Sequence, residues 1–182
     1  MEKKEIRKLV FARRKAQTTE SLQEKSRKIC DRIIRMEAFQ KADCIYTYMD
    51  YNGEVCMRPL IEEAWRLGKK VAAPKVDGEE MDYYYISSYA DVHPGYFHIP
   101  EPDAVNPAQD EEALLIVPGV GFDAKRHRCG YGKGFYDRYL GKIPAADRPY
   151  LVGLCFSCQL FERLDGQKPH DINMDLIVTE RR

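Results

Sequence analysis

Apolar positions recur at three- and four-residue intervals through the first third of the chain. Over residues 2–16, Ile6, Leu9, Val10 and Arg13 fall in one helical register. Thr18 or Thr19 is placed to cap a second helix, whose stripe runs Leu22, Ser26, Ile29, Cys30, Ile33 and Ile34 and which should end near Arg35–Ala38. The period then changes. The run CIYTYM (44–49) is β-branched and aromatic and predicts a strand. RPLIEEAWRLG (58–68) predicts a helix with Gly68 at its carboxyl cap. KVAAPKV (70–76) and MDYYYI (81–86) predict strands joined by a hairpin through DGEE. Residues 87–110 are rich in Pro, Gly and Asp and predict a long ordered loop. ALLIVPGVGF (113–122) is a buried strand and a turn, FYDRYLGK (135–142) a helix, and YLVGLCF (150–156) and DLIVTE (175–180) further strands. Strands alternating with helices predict an α/β sandwich with a largely parallel sheet, preceded by a pair of helices. Ligands of such sheets bind beyond the carboxyl ends of the strands, and residues 119–134 follow one such end.

The 182 residues suit one domain spanning 1–182. Twenty-nine basic residues balance 29 acidic ones, so the surface as a whole has no charge for adhesion to nucleic acid or membrane. No apolar run is long enough to span a bilayer, and the charged N-terminus lacks the apolar core of a secretory signal. The expectation is a cytoplasmic protein without an obligate protein partner. Its six cysteines are then reduced, and the Cys155–Cys158 pair lacks the second pair that a zinc site requires.

The chemistry concentrates in RHRCGYGKGFYDR (126–138). A Walker A loop would place Ser or Thr directly after its Gly-Lys, and a dinucleotide fingerprint would read G-x-G-x-x-G; the stretch is neither. Alternate glycines, Gly130, Gly132 and Gly134, free one side of the backbone so that successive amides can turn toward an anion. Arg128, Lys133 and the start of a helix add positive charge, and phosphate is the guest that fits. Asp137 reads equally as a first-turn helix acid or as a magnesium ligand beside that phosphate. Near the C-terminus, Asp171 and Asp175 read as turn caps or as a second carboxylate for such a metal. The basic segment KKEIR (3–7) offers further cationic contacts for a triphosphate.

These residues carry a resemblance. PGVGFDAKRHRCGYGKGFYDRYL (118–140) is similar to the P-G-x-x-F-D and R-x-G-x-G-x-G-[YF]-Y-D stretches of the 5-formyltetrahydrofolate cyclo-ligase family. KKEIR, Gly53-Glu54, IPEP (99–102) and HDINMD (170–175) extend the likeness along the chain. The resemblance implies a Rossmann-like sandwich and ATP- and magnesium-dependent closure of 5-formyltetrahydrofolate to the 5,10-methenyl form, through a phosphorylated formyl oxygen. It implies ATP contacts at Lys3, Lys4, Arg7, Arg128, Cys129, Gly130, Tyr131, Gly132, Lys133, Gly134, Phe135 and Tyr136, with Lys133 and Arg128 catalytic. Magnesium would sit by Asp137 and Asp171. The folate would meet Glu54, with Tyr48 or Met49 nearby, and Tyr131, Gly132, Lys133, Gly134 and Phe135. Two positions depart from the common pattern: Met57 stands where many members have Thr, and Cys129 where Leu is common.

Three rival readings follow from the same residues. One is another ATP-dependent, carbonyl-activating enzyme on this scaffold. Another is a nucleotide- or RNA-binding module without chemistry, which the tyrosine-rich strand would suit but the two carboxylates would oppose. The third is redox chemistry at Cys155 and Cys158, which the apolar surroundings of Cys155 oppose.

Overall fold

The apolar run that begins at Cys44 opens a sheet of which five strands are parallel. The computed structural model describes residues 1–109 and 112–182. Helices α1 (Lys3–Lys15), α2 (Thr19–Ile34) and α3 (Glu37–Lys41) lead into β1 (Cys44–Tyr46). There follow α4 (Arg58–Arg66), β2 (Lys70–Asp77), β3 (Glu80–Ile86), β4 (Val92–Pro94) and β5 (Pro100–Pro102). The remaining elements are β6 (Ala113–Pro118), β7 (Gly121–Asp123), β8 (Arg128–Cys129), α5 (Phe135–Gly141), β9 (Tyr150–Leu154), β10 (Leu160–Phe161) and β11 (Leu176–Val178).

The main sheet has the order β11-β9-β6-β1-β2-β3, parallel except for the antiparallel β2–β3 hairpin. Because side chains alternate across a strand, each strand feeds two cores. Ile45, Leu114, Ile116 and Val152 pack with Ile29 and Ile33 of α2 and Leu60 and Ile61 of α4. Tyr46, Leu115, Val117 and Leu151 pack with Phe122 and with Leu140 of α5. The predicted sandwich and largely parallel sheet are borne out. Among the described residues no helix is long and apolar enough to cross a membrane.

Local signals act as expected. The Thr18 hydroxyl accepts from the Ser21 amide at 3.1 Å. Gly68 takes φ +74° after α4, and its amide donates to the Trp65 carbonyl. The β2–β3 turn has Gly78 at φ +62°. The strands at 44–46, 150–154 and 176–178 are shorter than the apolar runs that predicted them.

Two features differ from expectation. Residues 87–109 are not a plain loop: they contain the β4–β5 hairpin and short 3₁₀ turns, and Asp110 lies outside the described residues. Its anchor is Glu101, buried and accepting from the amides of Val76 and Tyr96. The two N-terminal helices also serve different parts of the fold. α2 joins the main core, whereas Ile6 and Val10 of α1 pack with Val120, Cys129 and Leu164 against a small sheet, β10-β7-β8. The register of α1 is 6-10-14, so Arg14 is buried and Arg13 exposed.

Gly153, buried in β9, is where this packing tolerates least. A β-carbon there would lie 2.6 Å from the Phe122 ring and 3.0 Å from Met174. Gly153→Ala should cost about 1–3 kcal/mol through overpacking, read from urea unfolding midpoints.

Candidate active site

Three segments converge beyond the carboxyl ends of the parallel strands: 47–57 after β1, 119–134 after β6, and 155–175 between β9 and β11. The middle segment is shaped by a buried acid. Asp123 is fully buried and accepts from the amides of Lys125, His127 and Leu164 and from His127 Nδ1, at 2.9–3.0 Å. This fastens the β7–β8 turn, where Arg126 takes φ +67°, and delivers Arg128 into the glycine loop. The F-D pair of the motif is therefore a clamp, a role that its spacing alone did not reveal.

Each glycine of the loop lies against a different guanidinium group. A β-carbon on Gly130 would meet Arg128 Nη1 at 2.8 Å, one on Gly132 would meet Arg7 at 3.2 Å, and one on Gly134 would meet Arg138 at 2.9 Å. Gly132 and Gly134 also take φ +99° and +73°, which side chains disfavour. The loop is thus a backbone ribbon threaded among three arginines. α5 is only seven residues long, so full side-chain charges, rather than a long helix dipole, make the site positive.

Those cations are held in place. Arg128 donates to the Pro118 carbonyl at 3.2 Å and to Asp137 Oδ2 at 3.3 Å, with its guanidinium over the Tyr136 ring. Arg7 Nε donates to the Gly130 carbonyl at 2.8 Å. Arg138 donates to the carbonyls of Lys133 and Glu79 and covers the Phe135 ring. Lys3 pairs with Asp171 at 2.7 Å. Lys133 is exposed, and its ammonium has no hydrogen bond or ion pair to a described residue.

The two predicted metal acids are connected through the backbone next to one of them. The Ile172 amide, one residue after Asp171, donates to Asp137 Oδ1 at 3.0 Å. Asp171 Oδ2 accepts from Lys3 and from the Lys168 amide. Burial opposes ionisation of Asp171, but those two hydrogen bonds and the Lys3 charge outweigh it and hold its carboxyl below the usual value. Asp175 is elsewhere: its Oδ2 accepts from the Leu151 amide at 2.7 Å, so it is a strand cap. Among the described residues no group of three or more His, Cys, Asp or Glu gathers, so a magnesium ion here would take its other ligands from phosphate and water, as that ion commonly does.

Across the cleft, Glu54 follows a turn with positive φ at Asn52 and Gly53 and accepts from the Tyr51 amide at 2.9 Å. Desolvation raises its carboxyl to about 7, against the pull of Arg14, the Tyr51 amide and the Tyr131 hydroxyl. The Tyr131 ring stacks on Phe11 at 5.7 Å and leans on Tyr51. Phe135 meets Tyr96 of the β4–β5 hairpin edge-on. Burial pushes the Tyr136 phenol up.

Not every predicted residue presents its side chain here. Lys3 and Arg7, four apart, share the face of α1 turned to the loop; Lys4 is exposed and makes no hydrogen bond or ion pair to a described residue. The Cys129 thiol is buried against Ile6 and Val10, and burial raises it, so only its backbone faces the loop. Tyr48 is buried, with its hydroxyl donating to the Val55 carbonyl, and Met49 packs on the same core. Met57 is wholly buried, so this departure is a change in the core. Cys155 is buried and its thiol raised by burial, contrary to what redox chemistry needs. Cavities of about 540 and 200 Å³ lie beside Trp65 and Tyr85 and beside Tyr46 and Tyr139; glycine-loop residues line neither. One residue that the sequence reading missed is Arg14, for which the 6-10-14 spacing was the available signal.

Fold and site define a class: a parallel α/β sandwich enzyme whose strand ends carry a cationic, glycine-threaded loop facing a carboxyl group. A model of the 5-formyltetrahydrofolate cyclo-ligase family matches residues 1–180, and the chain belongs to that family. The 5-formyltetrahydrofolate cyclo-ligase of Escherichia coli K12 is 30% identical over 181 residues, covering 94% of this chain and 96% of its own. A probable 5-formyltetrahydrofolate cyclo-ligase of Schizosaccharomyces pombe is 29% identical over 169 residues, covering 85% and 83%. The solved structure of Aquifex aeolicus 5,10-methenyltetrahydrofolate synthetase, 34% identical, superposes with a TM-score of 0.86 over 99% of this chain and 90% of that one. A synthetase from Mycoplasma pneumoniae, 22% identical, shares the fold at a TM-score of 0.74 over 99% of each chain.

The raised carboxyl of Glu54 makes a stability prediction. Its pKa is about 7 folded against 4.5 as a free side chain, so the folded chain holds the extra proton between those values. Stability at this group is greatest below pH 4.5, falls as pH rises to 7, and stays low above. Glu54→Gln should therefore stabilise the fold at pH 8 by about 1–2 kcal/mol, allowing for residual solvent contact, and have little effect near pH 4.5. Thermal unfolding at the two pH values measures this.

Proposed function

We propose that this chain catalyses the ATP- and magnesium-dependent cyclisation of 5-formyltetrahydrofolate to 5,10-methenyltetrahydrofolate, releasing ADP and phosphate. The observation that carries the reading is the placement of Glu54 opposite a glycine loop threaded among Arg7, Arg128 and Arg138. A polyphosphate and a flat, N–H-bearing substrate can thereby meet in one cleft. The reading takes residues 1–182 as one cyclo-ligase domain acting in the cytoplasm on small molecules alone.

The formyl group is amide-like, and its oxygen is a poor leaving group. In this reading that oxygen attacks the γ-phosphorus, the bond to the ADP oxygen breaks, and an iminium phosphate forms. The neighbouring N10 adds to the activated carbon and gives up its proton to water, the carbon–oxygen bond breaks with loss of phosphate, and the methenyl bridge closes. No covalent enzyme nucleophile is required, so the work of the protein is positioning and charge neutralisation. The loop amides, Arg7 and Arg128 hold the phosphates. Lys133, exposed and unpaired among the described residues, folds onto the transferring group. Asp137 and Asp171 hold magnesium, which when bound neutralises phosphate charge. Glu54, when ionised, accepts from N–H donors of the folate, and Tyr131 and Phe135 close over its flat rings. Only backbone groups of Cys129 take part, and the reading gives Lys4, Tyr48 and Met49 no direct contact.

The test is spectrophotometric. Protein, 5-formyltetrahydrofolate, ATP and magnesium should generate the absorption band of the methenyl product, and omission of ATP should abolish it. Lys133→Ala and Asp137→Ala should each lower kcat by about 100-fold or more with unchanged circular dichroism. Absence of the band in the wild type overturns the function; near-normal turnover in both variants overturns the site.

A further inference from the structure

Arg14 belongs to none of the motifs, and its surroundings are unusual. It lies in the last turn of α1 and is 4% exposed, a costly place for a guanidinium group. Its Nη2 donates to the Gly119 carbonyl at 3.1 Å, and its Nη1 to the Asn52 carbonyl at 3.3 Å and the Tyr131 hydroxyl at 3.1 Å. One side chain therefore joins the turn after β6, the loop after β1 and the glycine loop. Gly53 packs directly on its aliphatic stem, where a β-carbon would come to 3.4 Å. Its Nε is buried without a partner, so the fold leaves part of this costly group unsatisfied. At about 100° per residue, Lys3, Arg7 and Arg14 fall within roughly 40° of one another on α1. The helix that brings cations to the nucleotide side also brings this one to Glu54.

We infer that Arg14 is a positioning residue that ties the nucleotide loop to the folate carboxylate, holding Glu54 ready to accept through Tyr131 and through its own charge. This rests on the proposed function. The Tyr131 hydroxyl accepts from Arg14 at 3.1 Å and favours the ionised form of nearby Glu54, so the ordering of the glycine loop and the state of Glu54 are linked through one phenol. Arg14 is the cation facing Glu54 from α1. The other groups facing Glu54 are Asp50 and the Tyr51 amide in its own loop, Tyr48 beneath it, Tyr131 from the glycine loop and Tyr136 from α5. Burial and Asp50 favour the neutral acid; Arg14, the Tyr51 amide and Tyr131 favour the carboxylate. Without Arg14, Glu54 holds its proton to higher pH, and its capacity to accept from the substrate is lost at neutrality.

The experiment measures KM for 5-formyltetrahydrofolate from pH 5.5 to 9 in the wild type, Arg14→Gln and Tyr131→Phe. The acid limb of 1/KM should lie near 7 in the wild type and move up by about one pH unit or more in Arg14→Gln, raising KM several-fold at pH 7. kcat at saturation should change much less. Tyr131→Phe should move the limb the same way by less. A buried arginine that served folding alone would lower the melting temperature and leave the limb in place, and that result overturns the inference. A second readout does not depend on turnover. The Glu54 carboxyl carbon, followed by NMR in ¹³C-labelled protein and assigned by its absence in Glu54→Gln, should titrate at higher pH in Arg14→Gln. If that variant does not fold, the same titration in Tyr131→Phe decides. A silent wild-type assay with a shifted NMR midpoint overturns the proposed reaction but keeps the link; an active wild type with unshifted midpoints overturns only the link.

Discussion

Cations crowded around a loop repel one another, and the geometry of this site depends on how that repulsion is contained. Arg7, Arg14 and Arg138 are held mainly on backbone carbonyls, those of Gly130, Gly119, Asn52, Lys133 and Glu79. A carbonyl fixes a guanidinium group without cancelling its charge, whereas a carboxylate does both. The positive field therefore survives in the folded protein. The two carboxylate pairings, Arg128 with Asp137 and Lys3 with Asp171, lie together at the edge where the acids would hold magnesium. A divalent ion bound there, as the proposed function requires, would compete with those cations for the same oxygens and leave Lys3 and Arg128 freer to face phosphate. In the proposed reaction, metal and nucleotide would in this way be coupled by charge exchange within a single cleft.

The rest of the fold supplies the platform. Parallel strands release their connections at one edge, so segments far apart in sequence arrive side by side. The small sheet adds height to that edge: Asp123 fixes its turn, β8 aims Arg128, and α1 lies across it with Lys3, Arg7 and Arg14 in line. Repacking at Gly119 or Gly153 would disturb the site through the same ring, since both backbones pass close to Phe122.

The elements legible in the sequence were those with a period or a cap. The α2 stripe, the Thr18 cap, Gly68 and the alternating strands of the main sheet follow from local rules. The small sheet was not legible, because Gly121–Asp123, Arg128–Cys129 and Leu160–Phe161 are too short to carry any period. The β4–β5 hairpin was hidden for another reason. Phe97 and His98 take positive φ at its tip, and that conformation is set by Glu101, which also reaches across to Val76. At the site, the glycines and Arg128 were readable from residue type and spacing, whereas spacing left Asp171 and Asp175 equivalent and only the family resemblance paired Asp171 with Asp137. The direction of a side chain was not: Cys129 turns inward, Tyr48 faces the core, and the buried arginine of α1 is one position later than the pattern suggested.

Glu54 shows why a charge was needed at Arg14. A carboxylate beside a triphosphate is repelled, and in a partly desolvated cleft that repulsion is stronger than in water. The proposed reaction nonetheless requires the folate and the nucleotide to share one cleft. A cation placed between the acid and the loop answers both demands, lowering the cost of ionising Glu54 while adding to the field that attracts phosphate. Burial keeps the balance close, since the carboxyl stands at about 7 even with Arg14 present. In the proposed reaction, small movements of Tyr131 would then decide whether Glu54 is an acceptor, because Tyr131 belongs to the loop that would take the phosphate.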